Sequence, residues 1–144
     1  MMEKILIGSD HAGFAMKEKI KKYLEGQYEF SDLGTYSEDS VDYPDYAKKV
    51  ARQVAVSPGA RGILICGSGI GVCITANKIK GIRAALCYSK KAAQLSRLHN
   101  DANIVCTAGR EETMDPPEEI IKTFLETDFS GEDRHKKRIN KIES

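Results

Sequence analysis

The segment of this sequence whose residues are best suited to chemistry is ILICGSGIGVCITANK, residues 63–78. An apolar run ends at Cys66, and the glycine loop (residues 67–71, GSGIG) follows before a stretch that predicts a helix. Glycines at the start of a helix leave backbone N–H groups uncovered, because no side chain shields them. Such groups can bind a phosphate or stabilise a developing oxyanion. The chemistry of the site therefore depends on which kind of group this loop binds.

Nucleotide binding fits the loop poorly. A dinucleotide fingerprint, G-x-G-x-x-G, counted from Gly67 needs its third glycine at position 72, where the chain has Val72. The loop also follows the third predicted strand, whereas the first strand usually carries this motif. A phosphate loop of an NTPase needs Lys and then Ser or Thr after the last glycine, and Val72-Cys73 does not supply them.

A thiol phosphatase also fits poorly. Such enzymes place an arginine six residues after the cysteine, and that position is again Val72. Residues 67–77 contain neither lysine nor arginine, so a phosphate bound here would lack a cation.

An oxyanion site with a thiolate beside it fits the residues better. The N–H groups of Gly67, Gly69 and Gly71 could stabilise an oxyanion, and the positive end of a helix favours the thiolate form of a neighbouring cysteine. Cys66 could then act as a proton-removing base or as a nucleophile. The alternative is a buried cysteine before a tight turn, since free cysteines are often part of the core. From chemistry alone both interpretations stay open.

Other polar residues follow predicted strands or close predicted helices. Asp10-His11 comes after the first strand, and Arg110 comes after the fifth. His99-Asn100 ends a predicted helix, where a histidine can simply interact with the helix dipole. The three histidines have no metal-ligand spacing, so we expect no metal.

The basic tail offers a second anion site. Arg134 and Arg138 are four residues apart and therefore share one helical face, which suits a phosphate dianion. Such runs are usually solvated surfaces. Combined with Cys66, however, they suggest a small phosphorylated substrate whose reacting carbon lies near the thiol.

The hydrophobic pattern alternates strands with helices. It predicts strands at 4–9, 27–34, 61–67, 82–88 and 102–109 and helices at 15–26, 43–55, 70–81, 89–100, 116–127 and 132–143. Ser89 is the expected N-cap of the fourth helix. This order predicts an α/β fold, a three-layer Rossmann-like domain with a five-stranded parallel sheet and helices on both faces, over one domain at 1–144. In such folds ligands bind beyond the carboxyl ends of the strands.

Composition excludes several classes of partner. The 144 residues are 41% hydrophobic and 30% charged, with a formal net charge of +1, so we expect no nucleic acid and no membrane as the main partner. The N-terminal apolar run ILIG is too short for a signal peptide, which predicts a cytoplasmic protein. No CxxC pair occurs among the four cysteines, so a disulfide framework or zinc knuckle is not expected.

Seven short motifs occur in an order that resembles the type B ribose-5-phosphate isomerases. They are GSDHAGF, DYPDYA, ICGSGIGVCITANK, GIRAAL, SRLHNDANIV, GR and RHKKRI, and they extend from about residue 4 to residue 142. Each motif alone is weak, but seven in this order are specific. The resemblance implies an isomerisation between ribose 5-phosphate and ribulose 5-phosphate through a cis-enediol, with no cofactor.

The resemblance also implies a role for each site residue. Cys66 would be the proton-transfer base, the glycine loop with the Ser68 hydroxyl would hold the enediolate oxygen, and His99 with Ser68 would aid ring opening. The residues that would bind the substrate's hydroxyls and phosphate or line the pocket are Asp10, His11, Tyr43, Gly67, Gly69, Gly71, Asn100, Arg110, Arg134 and Arg138.

Members of this family are dimers or tetramers whose sites are built from two subunits. On that resemblance we expect a homodimer or a dimer of dimers, with His99, Asn100 and Arg110 facing the partner's Cys66. One branch of the family has a glutamate base where this chain has Val72, so the chain matches the cysteine branch. Ser68 stands where many relatives have threonine.

Three rival functions remain open at this stage. The first is an isomerase of a six-carbon sugar phosphate, allose 6-phosphate or galactose 6-phosphate, which needs a longer pocket. The others are a non-catalytic phosphosugar- or nucleotide-binding module and a thiol-dependent phosphatase.

Overall fold

The computed structural model describes residues 2–144, along which five strands and six helices alternate. The strands are β1 (Lys4–Ser9), β2 (Glu29–Asp32), β3 (Arg61–Cys66), β4 (Ala84–Leu86) and β5 (Ile104–Ala108). The helices are α1 (Phe14–Tyr23), α2 (Tyr43–Ala55), α3 (Ile70–Ala76), α4 (Lys90–Asn100), α5 (Pro117–Glu126) and α6 (Asp133–Glu143).

The strands form one parallel sheet in the order β2-β1-β3-β5-β4. Ile7 lies opposite Ile63 on β3, and Ile63 lies opposite Val105 on β5. From β1 the chain passes to β2 on one side and later to β3 on the other. Because the connections diverge there, a crevice opens between the carboxyl ends of β1 and β3, the usual ligand position in such sheets.

Alternate residues of each strand pack against helices on opposite faces of the sheet. Ile5, Ile7, Ile63 and Ile65 are buried against α1, α4 and α5, whereas Leu6, Leu64 and Cys66 are buried against α2 and α3. Burial of each such aliphatic side chain stabilises the fold by about 1.5–3 kcal/mol. The predicted three-layer α/β architecture is thus confirmed, and Cys66 belongs to the α2–α3 face.

Element boundaries differ from the sequence-based ones mainly around α3 and β4. Helix α3 ends at Ala76 and not at residue 81, because the Asn77 side-chain amide binds both the N–H and the carbonyl of Ala84, at 2.8 and 2.9 Å. Strand β4 has three residues, since the Arg83 N–H donates to the Asn103 side chain at 2.8 Å and not to a neighbouring strand. Tertiary hydrogen bonds therefore override the local apolar pattern here.

The predicted helix at 43–55 is confirmed residue for residue, and Ser89 caps α4 by accepting a hydrogen bond from the Ala92 N–H at 3.0 Å. Both signals are local, which explains why they can be recognised in the sequence. None of the helices within residues 2–144 combines the length and apolar composition that crossing a bilayer requires.

Candidate active site

A cavity of about 520 Å³ opens at the carboxyl edge of the sheet, where β1 and β3 end. Asp10 and His11 enter it from the end of β1, and Cys66 with the glycine loop enters it from the end of β3. Arg110, which follows β5, completes this wall. Parallel strands place all their carboxyl ends at one edge, so residues far apart in sequence meet here.

The carbonyl groups of residues 66–68 all accept hydrogen bonds from residues outside the loop. The N–H groups of residues 109–111 donate to the carbonyls of Cys66 and Gly67 at 2.8–3.0 Å. The Tyr88 hydroxyl donates to the Ser68 carbonyl at 2.5 Å. Because every carbonyl of this turn is bound on the β4–β5 side, the loop backbone has one fixed orientation.

The N–H groups of the same turn are left available. No group among residues 2–144 accepts a hydrogen bond from the N–H of Gly67, Ser68 or Gly71, all of which line the cavity. The Gly69 N–H donates to the Cys66 Sγ at 3.1 Å. Unpaired N–H groups beside a thiol are the donors that a developing oxyanion needs.

Two positions of the loop require glycine. Gly69 has φ +80°, and a Cβ there would lie 2.7 Å from the Thr107 carbonyl oxygen. A Cβ at Gly71 would lie 2.5 Å from the ring of Tyr43, at the start of α2. The glycines thus allow a left-handed turn and a close approach of the tyrosine to the loop.

Cys66 is the thiol that reaches the cavity, although it is only 5% exposed. Burial raises the pKa of the Cys87 thiol to about 11, and burial also raises the pKa of Cys106. A hydrogen bond with Cys106 lowers the pKa of Cys73, which lies behind the loop on α3. Cys87 and Cys106 are buried and Cys73 is half-buried, and none of these three lines the cavity, whereas Cys66 does.

The β1 residues are fixed by backbone groups. One Asp10 carboxylate oxygen accepts the Gly13 N–H at 3.0 Å, which closes the turn into α1. The His11 Nδ1 accepts the Val41 N–H at 3.1 Å. A neutral His11 therefore carries its proton on Nε2, where it can donate to an anionic ligand.

His99 and Asn100 lie at the opposite, amino edge of the sheet. Arg83, just before β4, donates to the carbonyl of Asn100 at 3.0 Å, which places the end of α4 beside the start of β4. The six residues of β3 separate the two edges by about 16 Å. One chain therefore does not bring His99 to its own Cys66.

Helix α6 forms a second group of site candidates around His99. The imidazole rings of His99 and His135 stack with their centroids 4.4 Å apart. Arg134 and Arg138 are exposed on the same helix, and Arg134 has a 3.3 Å ion pair with Glu132. The predicted phosphate-binding arginines thus accompany His99 and not Cys66.

The resemblance implies that Arg110 faces the partner's Cys66, and this position in a dimer stays a prediction. Within one chain, Arg110 lines the cavity that contains its own Cys66. The cause is the neighbouring position of β5 and β3, with Ala108 opposite Cys66. Its backbone N–H also binds the Gly67 carbonyl at 3.0 Å.

A slightly larger cavity, about 590 Å³, lies at the amino edge, and the arginines that line it serve the fold. Its arginines are engaged, because Arg61 pairs with Glu3 and Arg97 donates to Asp101 and to the Ala102 carbonyl. The chain beyond Met1 contains no group of three or more His, Cys, Asp or Glu side chains arranged to hold a metal ion.

Sequence reasoning missed Tyr88. The hydrophobic pattern makes it the last residue of a strand at 82–88, but β4 ends at Leu86 and Tyr88 lies at the carboxyl edge. The rule that residues after strands form the site would have included it had the boundary been correct. The Val41 N–H, which orients His11, has no side-chain signal that could have revealed it.

Comparison with known proteins identifies relatives along nearly the whole chain. Residues 5–142 match the family model described as Ribose/Galactose Isomerase. Ribose-5-phosphate isomerase B from Escherichia coli strain K12 is 42% identical over 142 residues, which cover 98% of this chain and 95% of that protein.

Solved structures agree with this match. A ribose 5-phosphate isomerase from Thermotoga maritima superposes with a TM-score of 0.92 at 51% identity, covering 99% of each chain. Ribose-5-phosphate isomerase B from Mycoplasma genitalium, solved with bound ribulose 5-phosphate, has a TM-score of 0.91 at 44% identity and covers 99% of this chain and 96% of that one. The similarity therefore includes every element that positions the cavity.

Proposed function

This chain belongs to the ribose/galactose isomerase family, and from that premise we propose that it interconverts ribose 5-phosphate and ribulose 5-phosphate through a cis-enediolate. The chain is an enzyme, an isomerase. The proposal about its substrate and its catalytic residues rests on the geometry of the Cys66 cavity.

The observation that carries this proposal is the set of unpaired N–H groups beside Cys66. Removing a proton from C2 of an open-chain aldose places negative charge on the carbonyl oxygen at C1. The N–H groups of Gly67, Ser68 and Gly71 can donate to that oxygen, since no other group within residues 2–144 accepts a hydrogen bond from them. Losing one such donor costs an enzyme about 3–4 kcal/mol of barrier.

Cys66 is the base in this proposal. Its thiolate takes the proton from C2, the C2–H electrons form the C1–C2 double bond, and the C1 carbonyl electrons move to its oxygen. The thiol then returns the proton to C1, and the proton of the C2 hydroxyl passes to the C1 oxyanion, which leaves a hydroxyl at C1 and a ketone at C2. The Gly69 N–H, 3.1 Å from Sγ, stabilises the thiolate, and no covalent bond to the sugar forms.

The phosphate and the hydroxyls need separate partners. His11 can donate from Nε2 because Val41 occupies Nδ1, and Asp10 at the same edge can accept from sugar hydroxyls. Arg110 adds a cation within the cavity. Tyr43, whose ring covers Gly71, gives the sugar an apolar wall.

A complete site requires a second copy of the chain in this proposal. This proposal assigns ring opening to His99, a place in the pocket to Asn100, and phosphate binding to Arg134 and Arg138. These residues lie at the edge of the sheet opposite their own Cys66. A partner in a homodimer can supply them. Ile70, Ile74 and Leu86 beside the cavity are 48%, 57% and 39% exposed, an apolar surface suited to burial against that partner. A dimer of dimers and the cytoplasmic location stay predictions from the sequence.

The test is conversion of ribose 5-phosphate to ribulose 5-phosphate by the purified chain with a chelator present. Cys66→Ala is assayed beside Cys73→Ala, which removes a thiol outside the cavity. We expect metal-independent turnover in the wild type and in Cys73→Ala and its loss in Cys66→Ala.

Other outcomes identify the rivals. Turnover of allose 6-phosphate or galactose 6-phosphate but not of ribose 5-phosphate would replace the substrate and retain the reaction. Release of inorganic phosphate would indicate a phosphatase, and no reaction with any of the three sugars would overturn the enzyme assignment in favour of a binding role.

A further inference from the structure

Tyr88 is linked to Cys66 through a single peptide group. The Tyr88 hydroxyl donates to the Ser68 carbonyl at 2.5 Å. The next N–H along the chain, that of Gly69, donates to the Cys66 Sγ at 3.1 Å. The Ser68 carbonyl and the Gly69 N–H belong to one trans peptide group.

A planar trans peptide directs its carbonyl and its N–H in opposite directions. Fixing the carbonyl therefore fixes the direction of the N–H. A hydrogen bond to the carbonyl also polarises the peptide and strengthens the N–H as a donor. Both effects act on the sulfur of Cys66, and they act most strongly on its thiolate form, since a charged acceptor makes the stronger hydrogen bond.

We propose that Tyr88 is a positioning residue that holds the Gly69 N–H on the Cys66 sulfur and thereby favours the thiolate. The effect of Tyr88 on the rate of isomerisation rests on the proposed function. The effect of Tyr88 on the Cys66 thiolate does not, because the reactivity of the thiol can be measured without any sugar.

The surroundings of Tyr88 keep its hydroxyl protonated, so that it remains a hydrogen-bond donor. Burial, with the charges of Glu111 and Cys66, raises the pKa of the Tyr88 phenol, so the hydroxyl keeps its proton well above neutral pH. The Met114 N–H donates to the Tyr88 carbonyl at 2.8 Å and fixes its backbone. The hydroxyl is therefore protonated and immobilised where the Ser68 carbonyl needs it.

Other titratable and charged groups also face Cys66. They are Asp10, His11, Tyr43, Cys106, Arg110 and Tyr88 itself. The first five are unchanged when only the Tyr88 hydroxyl is removed, so a difference between wild type and that variant reports the hydroxyl alone.

The experiment compares Tyr88→Phe with Tyr36→Phe. Tyr36 is the matched control, because its hydroxyl also donates to a backbone carbonyl, that of Asp32 at 3.0 Å, but outside the cavity. Iodoacetamide labelling of Cys66 is followed against pH, with peptide mapping by mass spectrometry to separate Cys66 from Cys73.

We expect the midpoint of Cys66 labelling to move to higher pH in Tyr88→Phe, with labelling at pH 7 about three- to tenfold slower. Tyr36→Phe keeps the wild-type midpoint. With ribose 5-phosphate, kcat of Tyr88→Phe falls by a similar factor while KM stays near the wild-type value. Identical labelling midpoints in all three proteins overturn the proposal, even if the wild type is an active isomerase.

A failure of the proposed function is distinguishable, because wild type without isomerase activity would leave the labelling comparison intact. A second measurement needs no variant. In NMR titrations of wild type, the Tyr88 Cζ and Gly69 amide resonances should both shift at the pH midpoint of Cys66 labelling. A Tyr88 resonance that ignores this titration contradicts the proposal.

Discussion

The imidazole rings of His99 and His135 stack face to face, with centroids 4.4 Å apart and planes inclined by 22°. The two residues come from different helices, α4 and α6, so the stack fixes the end of one helix against the other. Burial and the neighbouring Arg134 guanidinium lower the pKa of His135. At neutral pH, His135 is therefore uncharged and packs against His99 without charge repulsion.

The first prediction concerns this stack. His135→Ala removes the ring behind His99 and should reduce kcat for ribose 5-phosphate roughly tenfold, because a loosely held acid–base group is less often in position. His135→Phe keeps an aromatic ring and should recover most of the activity. Steady-state kinetics of the two variants provide the comparison, and equal losses would show that the ring contact has no role.

The same variants test a pH effect. A histidine whose pKa is lower in the folded protein than the unfolded value of about 6.5 binds protons more readily in the unfolded chain. Its contribution to stability is therefore present above that value and is lost as pH falls through the folded pKa. We expect Tm to fall less between pH 7.5 and 5.5 in His135→Phe than in wild type.

The second prediction tests whether two copies share a site. Cys66→Ala and His99→Asn should each be nearly inactive alone. Mixed by unfolding and refolding, they should recover about a quarter of wild-type activity, because half of the dimers are mixed and each mixed dimer has one intact site. Two Cys66→Ala preparations treated in the same way are the control. No recovery by confirmed mixed dimers would mean that both residues must come from one chain.

The third prediction concerns the contact between Gly71 and Tyr43. Gly71→Ala places a methyl group 2.5 Å from the ring of Tyr43, a residue that is 41% exposed. We expect a higher KM for ribose 5-phosphate with little change in Tm. In the Tyr43→Ala background the same substitution should raise KM no further, since the ring it displaces is absent. An equal increase in both backgrounds would contradict the assigned contact.

The fourth prediction concerns stability at low pH. Burial alone would raise the pKa of Asp32, but hydrogen bonds from Lys17 and Lys21, at 2.6 and 2.9 Å, outweigh it and hold the pKa below its usual range. Lys17 is fully buried. Asp32→Asn leaves that lysine without its carboxylate and should cost about 3 kcal/mol of unfolding free energy at pH 7.

The pH dependence follows from the direction of this shift. The unfolded carboxyl titrates near pH 3.9, so the stabilising contribution of Asp32 is complete above that value and is lost as pH falls through the lower folded pKa. Urea unfolding at pH 7 and at pH 3 measures it. The difference between wild type and Asp32→Asn should shrink at pH 3, and an unchanged difference would contradict the ion-pair explanation. Glu18→Gln is the control, because its carboxylate is half-exposed and lies 3.4 Å from Lys17.

Part of this protein could be read from its sequence because the relevant signals are local. Apolar periodicity predicted the order of strands and helices, and Ser89 marked the start of α4. The parallel sheet then required that residues after β1, β3 and β5 meet at one edge, which predicted that Asp10, Cys66 and Arg110 lie together. These inferences need no knowledge of how distant side chains pack.

The tertiary structure alone decided the orientation of the glycine loop and the grouping of the remaining residues. Nothing local to residues 66–68 says that their carbonyls bind Tyr88 and residues 109–111, which is what leaves the N–H groups available. Nor does helix periodicity say that His99 stacks on His135 at the edge of the sheet opposite its own Cys66. Hydrogen-bond partners and ring contacts between distant segments depend on three-dimensional packing, whereas strand and helix order depends on neighbours in the chain.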